Sequence, residues 1–174
     1  RLHRKIGNTW REQYHYPEAQ RSYAEAGRVL GVAPVVDTTG QDATNKAEWW
    51  QEWIQVLLEI DYVNYWLGQR PTSDEWRIKL QRAVERYGTL HQQANFLQHG
   101  VMIEFRRRRG VATPAMVVAA QTALSLLQNA GITTVLPSAH FLVGFMQLWS
   151  GDPQGALAPL QIALAIAEQT GDLS

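Results

Sequence analysis

The sequence of 174 residues contains no cysteine. It therefore cannot form a disulfide, supply a thiolate nucleophile or bind a metal through cysteine, which fits a reducing compartment. We expect a cytoplasmic location. The chain also has no surplus of either charge, because 16 Lys and Arg residues balance 16 Asp and Glu residues. No global field draws it to nucleic acid or to an anionic membrane, so its charge favours a protein or small-molecule partner.

Long apolar runs are missing as well. One of the most apolar windows, residues 117–127, is interrupted by Gln121, Thr122 and Ser125, whereas a membrane-spanning helix needs about 20 apolar residues. A hydrophobic content of 45% is still ample for a core, and a chain of this length buries roughly 70% of its unfolded surface. The sequence predicts a well-folded, water-soluble protein that crosses no membrane.

Motifs for catalysis and for cofactor or metal binding are not found either. The sequence has no GxSxG, no phosphate-binding glycine loop and no HExxH. Its five histidines are dispersed, and none has a carboxylate or a second histidine at a ligand spacing such as i, i+4. Glu59 and Asp61 point in different directions on a helix, so they are poor candidates for an acid and base pair. We predict no enzymatic activity, no cofactor and no metal.

Four prolines stand where helices are expected to begin. They are Pro17, Pro71, Pro114 and Pro153. Each precedes apolar or small residues that step by four, three and four positions and so share one side of a helix. These sets are Ala19, Tyr23, Ala26, Leu30; Trp76, Leu80, Ala83, Tyr87; Met116, Ala120, Ala123, Leu127; and Ala156, Leu160, Ala163, Ala167. The unit recurs about every 40 residues once residues 31–46 are set aside as an inserted loop.

Another helix is expected before each of these four. The additional helices are predicted at residues 2–13, 47–67, 90–109 and 138–150. The fold class is therefore all-α, with about four antiparallel helix pairs in a single domain of residues 1–174. The hairpins are expected at residues 2–30, 46–87, 90–130 and 137–170, with an irregular loop at 31–45. Pro159 lies inside the last helix and predicts a kink there.

The packing residues of the first and fourth hairpins follow a known pattern. They are Ile6, Gly7, Trp10, Tyr16, Glu18, Ala19, Tyr23 and Ala26 in the first, and Val143, Gly144, Gly151, Ala156, Leu160 and Ala163 in the fourth. The pattern resembles tetratricopeptide (TPR) repeats, in the divergent long-period form found in arms of bacterial STAND-class signalling ATPases and transcriptional regulators. The middle hairpins depart from it, since their first helices lack the small glycine and Trp76 replaces a small residue.

The resemblance implies a right-handed superhelical solenoid. Its concave face would be lined by the first helix of each pair and would bind a peptide or protein segment. Helical spacing places nine residues near that face: Arg4, Asn8, Arg11, Tyr62, Tyr65, Glu104, Arg107, Phe145 and Trp149. Aromatic and arginine side chains are typical of interfaces. The other interpretation is that the aromatic residues pack between repeats and the charges are solvated.

Three further sequence features have two interpretations each. Arg4 and Asn8 match positions at which some members of the family hold a terminal carboxylate, but the remaining clamp positions are not matched. Residues 106–109 are four arginines, which either bind phosphate or complement the dipole at a helix C-terminus; we expect the second and no nucleic acid. Trp49, Trp50 and Trp53 either line a ligand pocket or pack in the core; their spacing is equally that of a buried helix, and we expect core packing.

These features predict a non-enzymatic module for protein interaction or regulation within a larger bacterial signalling or transcription-regulating protein. The alternative is a small-ligand sensor with a pocket between Tyr62, Tyr65 and Phe145. Because the chain begins at Arg1 without Met, we expect a segment of a longer protein. An uncapped last repeat that exposes Ala156, Leu160 and Ala163 predicts self-association into a homo-oligomer.

Overall fold

The computed structural model describes residues 1–31, 43–69 and 74–170. These residues form eight α-helices, and no strand occurs within those ranges. The helices are α1 (Leu2–Glu12), α2 (Tyr16–Leu30), α3 (Ala43–Trp66), α4 (Asp74–Tyr87), α5 (Leu90–Arg107), α6 (Pro114–Asn129), α7 (Leu136–Trp149) and α8 (Pro153–Thr170). The all-α class predicted from the sequence is confirmed.

Three of the four helix-opening prolines stand where they were expected. Pro114 and Pro153 are the first residues of α6 and α8, and Pro17 is the second residue of α2. Proline fits these positions because the first N–H groups of a helix have no intrahelical acceptor. The helix α8 continues through Pro159. Pro71 and most of the predicted loop at residues 31–45 lie outside the described residues.

The chain divides into two compact units, Arg1–Gln92 and Gln93–Ser174. In the first unit, α1 packs on α2, α2 on α3, and α3 on α4. Arg4 pairs with Glu52 and Arg11 with Glu59, so α1 and α3 run in the same direction. The intervening helix α2 runs antiparallel to α3.

The second unit repeats this alternation of helix directions. Ala94 and Ala139, early in α5 and α7, share one apolar cluster, while Val101 and Met146, late in the same helices, share another. The helices α5 and α7 are therefore parallel. The helix α6 is antiparallel to both, because its end lies in the first cluster and its start in the second. Within each unit the helices thus follow the order of successive antiparallel hairpins.

Most residues of the predicted apolar sets are buried. The buried members are Ala19, Tyr23, Ala26, Leu80, Ala83, Met116, Ala120, Ala123, Leu127, Ala156 and Ala163. Trp50 and Trp53 are buried too, and the ring of Trp50 stacks on that of Tyr87 with 4.7 Å between centroids. The core interpretation is therefore confirmed for these two tryptophans.

One expectation about α8 was wrong. Ala156 and Ala163 are buried, and Leu160 lies against Gly144 of α7. These residues are covered by the preceding helix and do not form an exposed end. The large apolar side chains that α8 exposes are Leu157, Ile162 and Leu164. Self-association through this helix stays a prediction, and these three exposed side chains are the ones that would mediate it.

Two glycines allow paired helices to approach closely. A Cβ added to Gly7 would lie 2.6 Å from Cδ1 of Tyr23, and one added to Gly144 would lie 2.6 Å from Cγ of Leu160. Both distances are far inside van der Waals contact. The small residues that carried the resemblance in the first and fourth hairpins therefore lie where α1 meets α2 and where α7 meets α8.

The first helix of every pair ends in the same turn. The second residue after each of these helices adopts a left-handed backbone. These residues are Tyr14, Gly68, Arg109 and Gly151, with φ of 60°, 67°, 54° and 88°. After α5, for example, the Gly110 amide donates to the Phe105 carbonyl at 2.9 Å and the Arg109 amide donates to the Arg106 carbonyl at 3.0 Å. These are the two hydrogen bonds of a Schellman motif. The helix α6 ends in the same turn, at Gly131 with φ of 66°, so the turn is not confined to the first helix of each pair.

Glycine substitutions at these turns give the first testable prediction. Tyr14→Gly is expected to raise the free energy of unfolding by about 0.5 kcal/mol, because a left-handed backbone is costly for a residue with a Cβ. Gly151→Ala is expected to lower the free energy of unfolding by about 1 kcal/mol, because alanine is strained in a left-handed backbone. Steric contact adds nothing to this cost, since an added Cβ would meet no atom within 4 Å. Urea unfolding followed by circular dichroism measures both changes.

The neighbouring residue supplies the control for Tyr14→Gly. Gln13 already has an ordinary φ of −92°, so Gln13→Gly only adds freedom to the unfolded chain and should not stabilise the protein. Equal effects of Tyr14→Gly and Gln13→Gly would contradict the assignment of backbone strain to the turn.

Candidate protein interaction surface

The arginines predicted on α1 are engaged inside the first unit. Arg4 donates to both carboxylate oxygens of Glu52, at 2.7 and 3.2 Å, and Arg11 donates to Glu59. The carboxylate side chains are only 10% and 7% exposed. Burial opposes ionisation of Glu52, but the hydrogen bond from Arg4 and the charge of its guanidinium together outweigh it and hold the pKa of Glu52 below its ordinary value. Both arginines therefore tie α1 to α3.

Asn8 is also used within this unit. The hydroxyl of Tyr23 donates to Oδ1 of Asn8 at 2.9 Å and lies 3.5 Å from Glu59. Burial raises the pKa of Tyr23, and the negative charge of Glu59 adds to that effect. With Arg4 and Asn8 both bonded to side chains of their own unit, a terminal-carboxylate clamp has no support from these contacts.

Tyr62 and Tyr65 lie in an aromatic group at the end of α3. The ring of Trp66 contacts Tyr62 at 6.1 Å and Tyr65 at 5.4 Å between centroids, and it lies parallel to the ring of Tyr16. The guanidinium of Arg11 sits 5.6 Å from the centroid of Tyr62. The two tyrosines are half-buried, so much of their surface already contacts neighbours. They belong to the first unit, and Phe145 belongs to the second.

In the second unit, three aromatic residues follow one another along α7. Phe141, Phe145 and Trp149, together with Phe105 of α5, form a surface that we term the aromatic row. Successive centroids on α7 are 5.6 and 6.0 Å apart, and Phe105 makes edge contacts with Phe145 at 5.4 Å and Trp149 at 5.7 Å. Phe141 is 53% exposed and Trp149 is 52% exposed. The row is therefore continuous and only partly covered.

Four arginines follow the α5 end of the aromatic row. Residues 106–109 are all exposed, and they supply every Lys or Arg of residues 93–170. A Cβ added at the next residue, Gly110, would lie 3.8 Å from Phe105 and 4.0 Å from Trp149. Gly110, in the turn that follows α5, thus lies next to the row, and Arg106 and Arg107 are the last two residues of the helix. Glu104 pairs with Arg107 at 3.4 Å and with Arg108 at 2.7 Å.

The nine predicted residues therefore divide into two groups. Phe145 and Trp149 contact each other, and Glu104 and Arg107 form an ion pair with each other on α5. The five residues of the first unit make contacts within that unit instead. Sequence reasoning missed Phe141 and Phe105 as members of the surface. The spacing of four residues from Phe141 to Phe145 was the signal that could have identified Phe141.

Buried acidic residues of α3 serve separate contacts. Glu59 accepts from Arg11 and from Gln55, whereas Asp61 pairs with Arg77 of α4 at 3.4 Å. Burial raises the pKa of Asp61, and the charge of Arg77 partly opposes that rise. The two carboxylates thus contact different helices, as expected of side chains that point in different directions on α3.

The described part of the chain holds no group of three His, Asp or Glu side chains suited to a metal ion. Nor is any helix in these ranges long and apolar enough to cross a membrane. No protein-family model, curated protein or solved structure matches the chain. The function is therefore inferred from the exposed surface of the protein itself.

Proposed function

We propose that this chain is a non-enzymatic protein-interaction module that binds a peptide or protein segment on the aromatic row. The observation that carries the proposal is the continuous ring contact of Phe141, Phe145 and Trp149 along one helix, in which the partly buried Phe145 lies between two rings that are about half exposed. Large aromatic side chains in contact with each other, and half-covered by their own chain, are common anchors of protein interfaces. Solitary exposed apolar residues would carry no such weight.

The position of the row within the helix order supports the proposal. It is built from α5 and α7, the first helices of the third and fourth hairpins, which a TPR-like array would direct towards its bound segment. The proposal accordingly includes a divergent TPR-like arrangement, a superhelical solenoid, and a regulatory role within a larger bacterial signalling protein. The parallel first helices within each unit favour such an array.

Peptide selection tests this function. The whole chain is immobilised and presented with a random display library of peptides of about 12 residues. We expect enriched peptides with Kd below about 100 μM. Phe141→Ala and Trp149→Ala should each weaken them by about 10-fold or more, because both substitutions remove an anchor.

The matched control is Val118→Ala. Val118 is an exposed apolar residue of α6 in the same unit, and α6 contributes no side chain to the aromatic row. Its substitution should leave binding unchanged. No enriched peptide, or peptides that bind the Phe141 and Trp149 variants as well as the wild type, would contradict the proposed function.

A further inference from the structure

We infer that the segment bound on the aromatic row is acidic: it carries Asp or Glu side chains next to a large apolar anchor. This inference rests on the proposed function and names the chemistry of the partner. Its basis is charge placement. The second unit has no Lys or Arg in residues 93–170 apart from residues 106–109, and Gly110, which directly follows them, lies next to Phe105 and Trp149.

The positive charge of this run is incompletely balanced by its neighbour. Glu104 pairs with both Arg107 and Arg108, and one carboxylate cannot neutralise two guanidinium groups. Both pairs are exposed, at 65% and 52% for the arginine side chains, so they contribute little to stability and can be exchanged for carboxylates of a partner. Clustered arginines also attract an acidic segment before contact.

The same charges disfavour the other occupants of this surface. An isologous dimer in which the two aromatic rows run in the same direction would bring the arginine run of one copy towards that of the other, and like charges would oppose it. Nucleic acid needs a longer series of cations to contact successive phosphates, whereas the rest of this unit, to residue 170, supplies none. An acidic segment satisfies both the rings and the guanidinium groups.

Defined peptides test the inference. The probe is a fluorescein-labelled peptide of about 12 residues with one central Phe among Asp and Glu. One analogue replaces Phe by Ala, and a second replaces every acidic residue by Lys. Fluorescence anisotropy with the whole chain is measured at about 0.05 and 0.3 M NaCl. We expect the acidic peptide to bind about 10-fold or more tighter than either analogue and to weaken several-fold at the higher salt concentration.

Charge reversal on the protein provides the matched comparison. Arg107→Glu combined with Arg109→Glu should weaken the acidic peptide by about 10-fold or more. Arg21→Glu combined with Arg82→Glu changes the net charge equally at exposed positions of the first unit and should have no effect. Thermal unfolding by circular dichroism establishes that each variant is folded.

The possible outcomes separate this inference from the proposed function. If library peptides bind the aromatic row but are neutral or basic, or ignore Arg107→Glu with Arg109→Glu, the inference fails and the function stands. If no peptide binds the row, both fail. Tighter binding of a labelled oligothymidine than of the acidic peptide, or a dimer that Phe141→Ala dissociates in sedimentation, would also overturn the inference.

Discussion

Gly144→Ala is expected to lower the free energy of unfolding by about 2–3 kcal/mol, because it forces a methyl group into a closed helix contact. The added Cβ would lie 2.6 Å from Cγ of Leu160 and 3.0 Å from the carbonyl oxygen of Ala156. Leu160 could move only by repacking, and the carbonyl belongs to the backbone of α8, so the helices α7 and α8 must separate. Alanine gains about 1 kcal/mol of helix propensity over glycine, which that cost exceeds.

A second helical glycine provides a control of opposite sign. A Cβ added to Gly27 in α2 would meet only Cγ1 of Val56, at 3.9 Å, which is ordinary contact. Gly27→Ala should therefore raise stability by roughly 0.5–1 kcal/mol through helix propensity alone. Urea unfolding measures both variants. Stabilisation by Gly144→Ala would show that the contact between α7 and α8 is looser than these distances indicate. Partial rescue of Gly144→Ala by Leu160→Ala would locate the clash.

The other large effect is expected from Glu59→Ala, which removes the carboxylate that Arg11 and Gln55 share. Glu59 is buried, and the side chain of Arg11 is only 29% exposed. Loss of the carboxylate leaves a partly buried guanidinium without its counter-charge and should cost about 3 kcal/mol. Unfolding by urea in low salt gives the measurement.

An exposed ion pair of the same unit serves as the reference. Glu25 pairs with Arg28 on the surface of α2, and Glu25→Ala should have a far smaller effect than Glu59→Ala, because exposed ion pairs contribute little to stability. Replacing Arg11 by Met and Glu59 by Leu together should recover much of the loss, since neither charge is then left alone. If Glu59→Ala costs as little as Glu25→Ala, the pair does not hold α1 against α3.

The helices and their order in pairs could be predicted from the sequence because they depend on local signals. Two such signals depend only on helix geometry: a proline at a helix start, and the spacing of Met116, Ala120, Ala123 and Leu127. All four of these residues are buried on α6. The turns after α1 and α5 were less accessible. Tyr14 and Arg109 occupy left-handed positions at which glycine is the usual signal.

The surface was predicted in part for a related reason. Helical spacing identifies the residues that share a face, but it does not say whether that face meets solvent or another helix. Arg4 and Arg11 share a face of α1 as expected, yet carboxylates far along the chain cover it. Phe145 and Trp149 share a face of α7 that stays partly open. The residues of α3 that face α1 are acidic, whereas the residues of α5 that face α7 are apolar.

The contact between α1 and α3 and the contact between α5 and α7 therefore respond to different properties of the solvent. The side chains that bridge α1 and α3 are ion pairs, whose attraction weakens as dissolved ions accumulate. Those that bridge α5 and α7 are apolar, and cold water loosens such contacts while excluded solutes tighten them. Added salt therefore weakens the contact between α1 and α3, whereas cooling weakens the contact between α5 and α7.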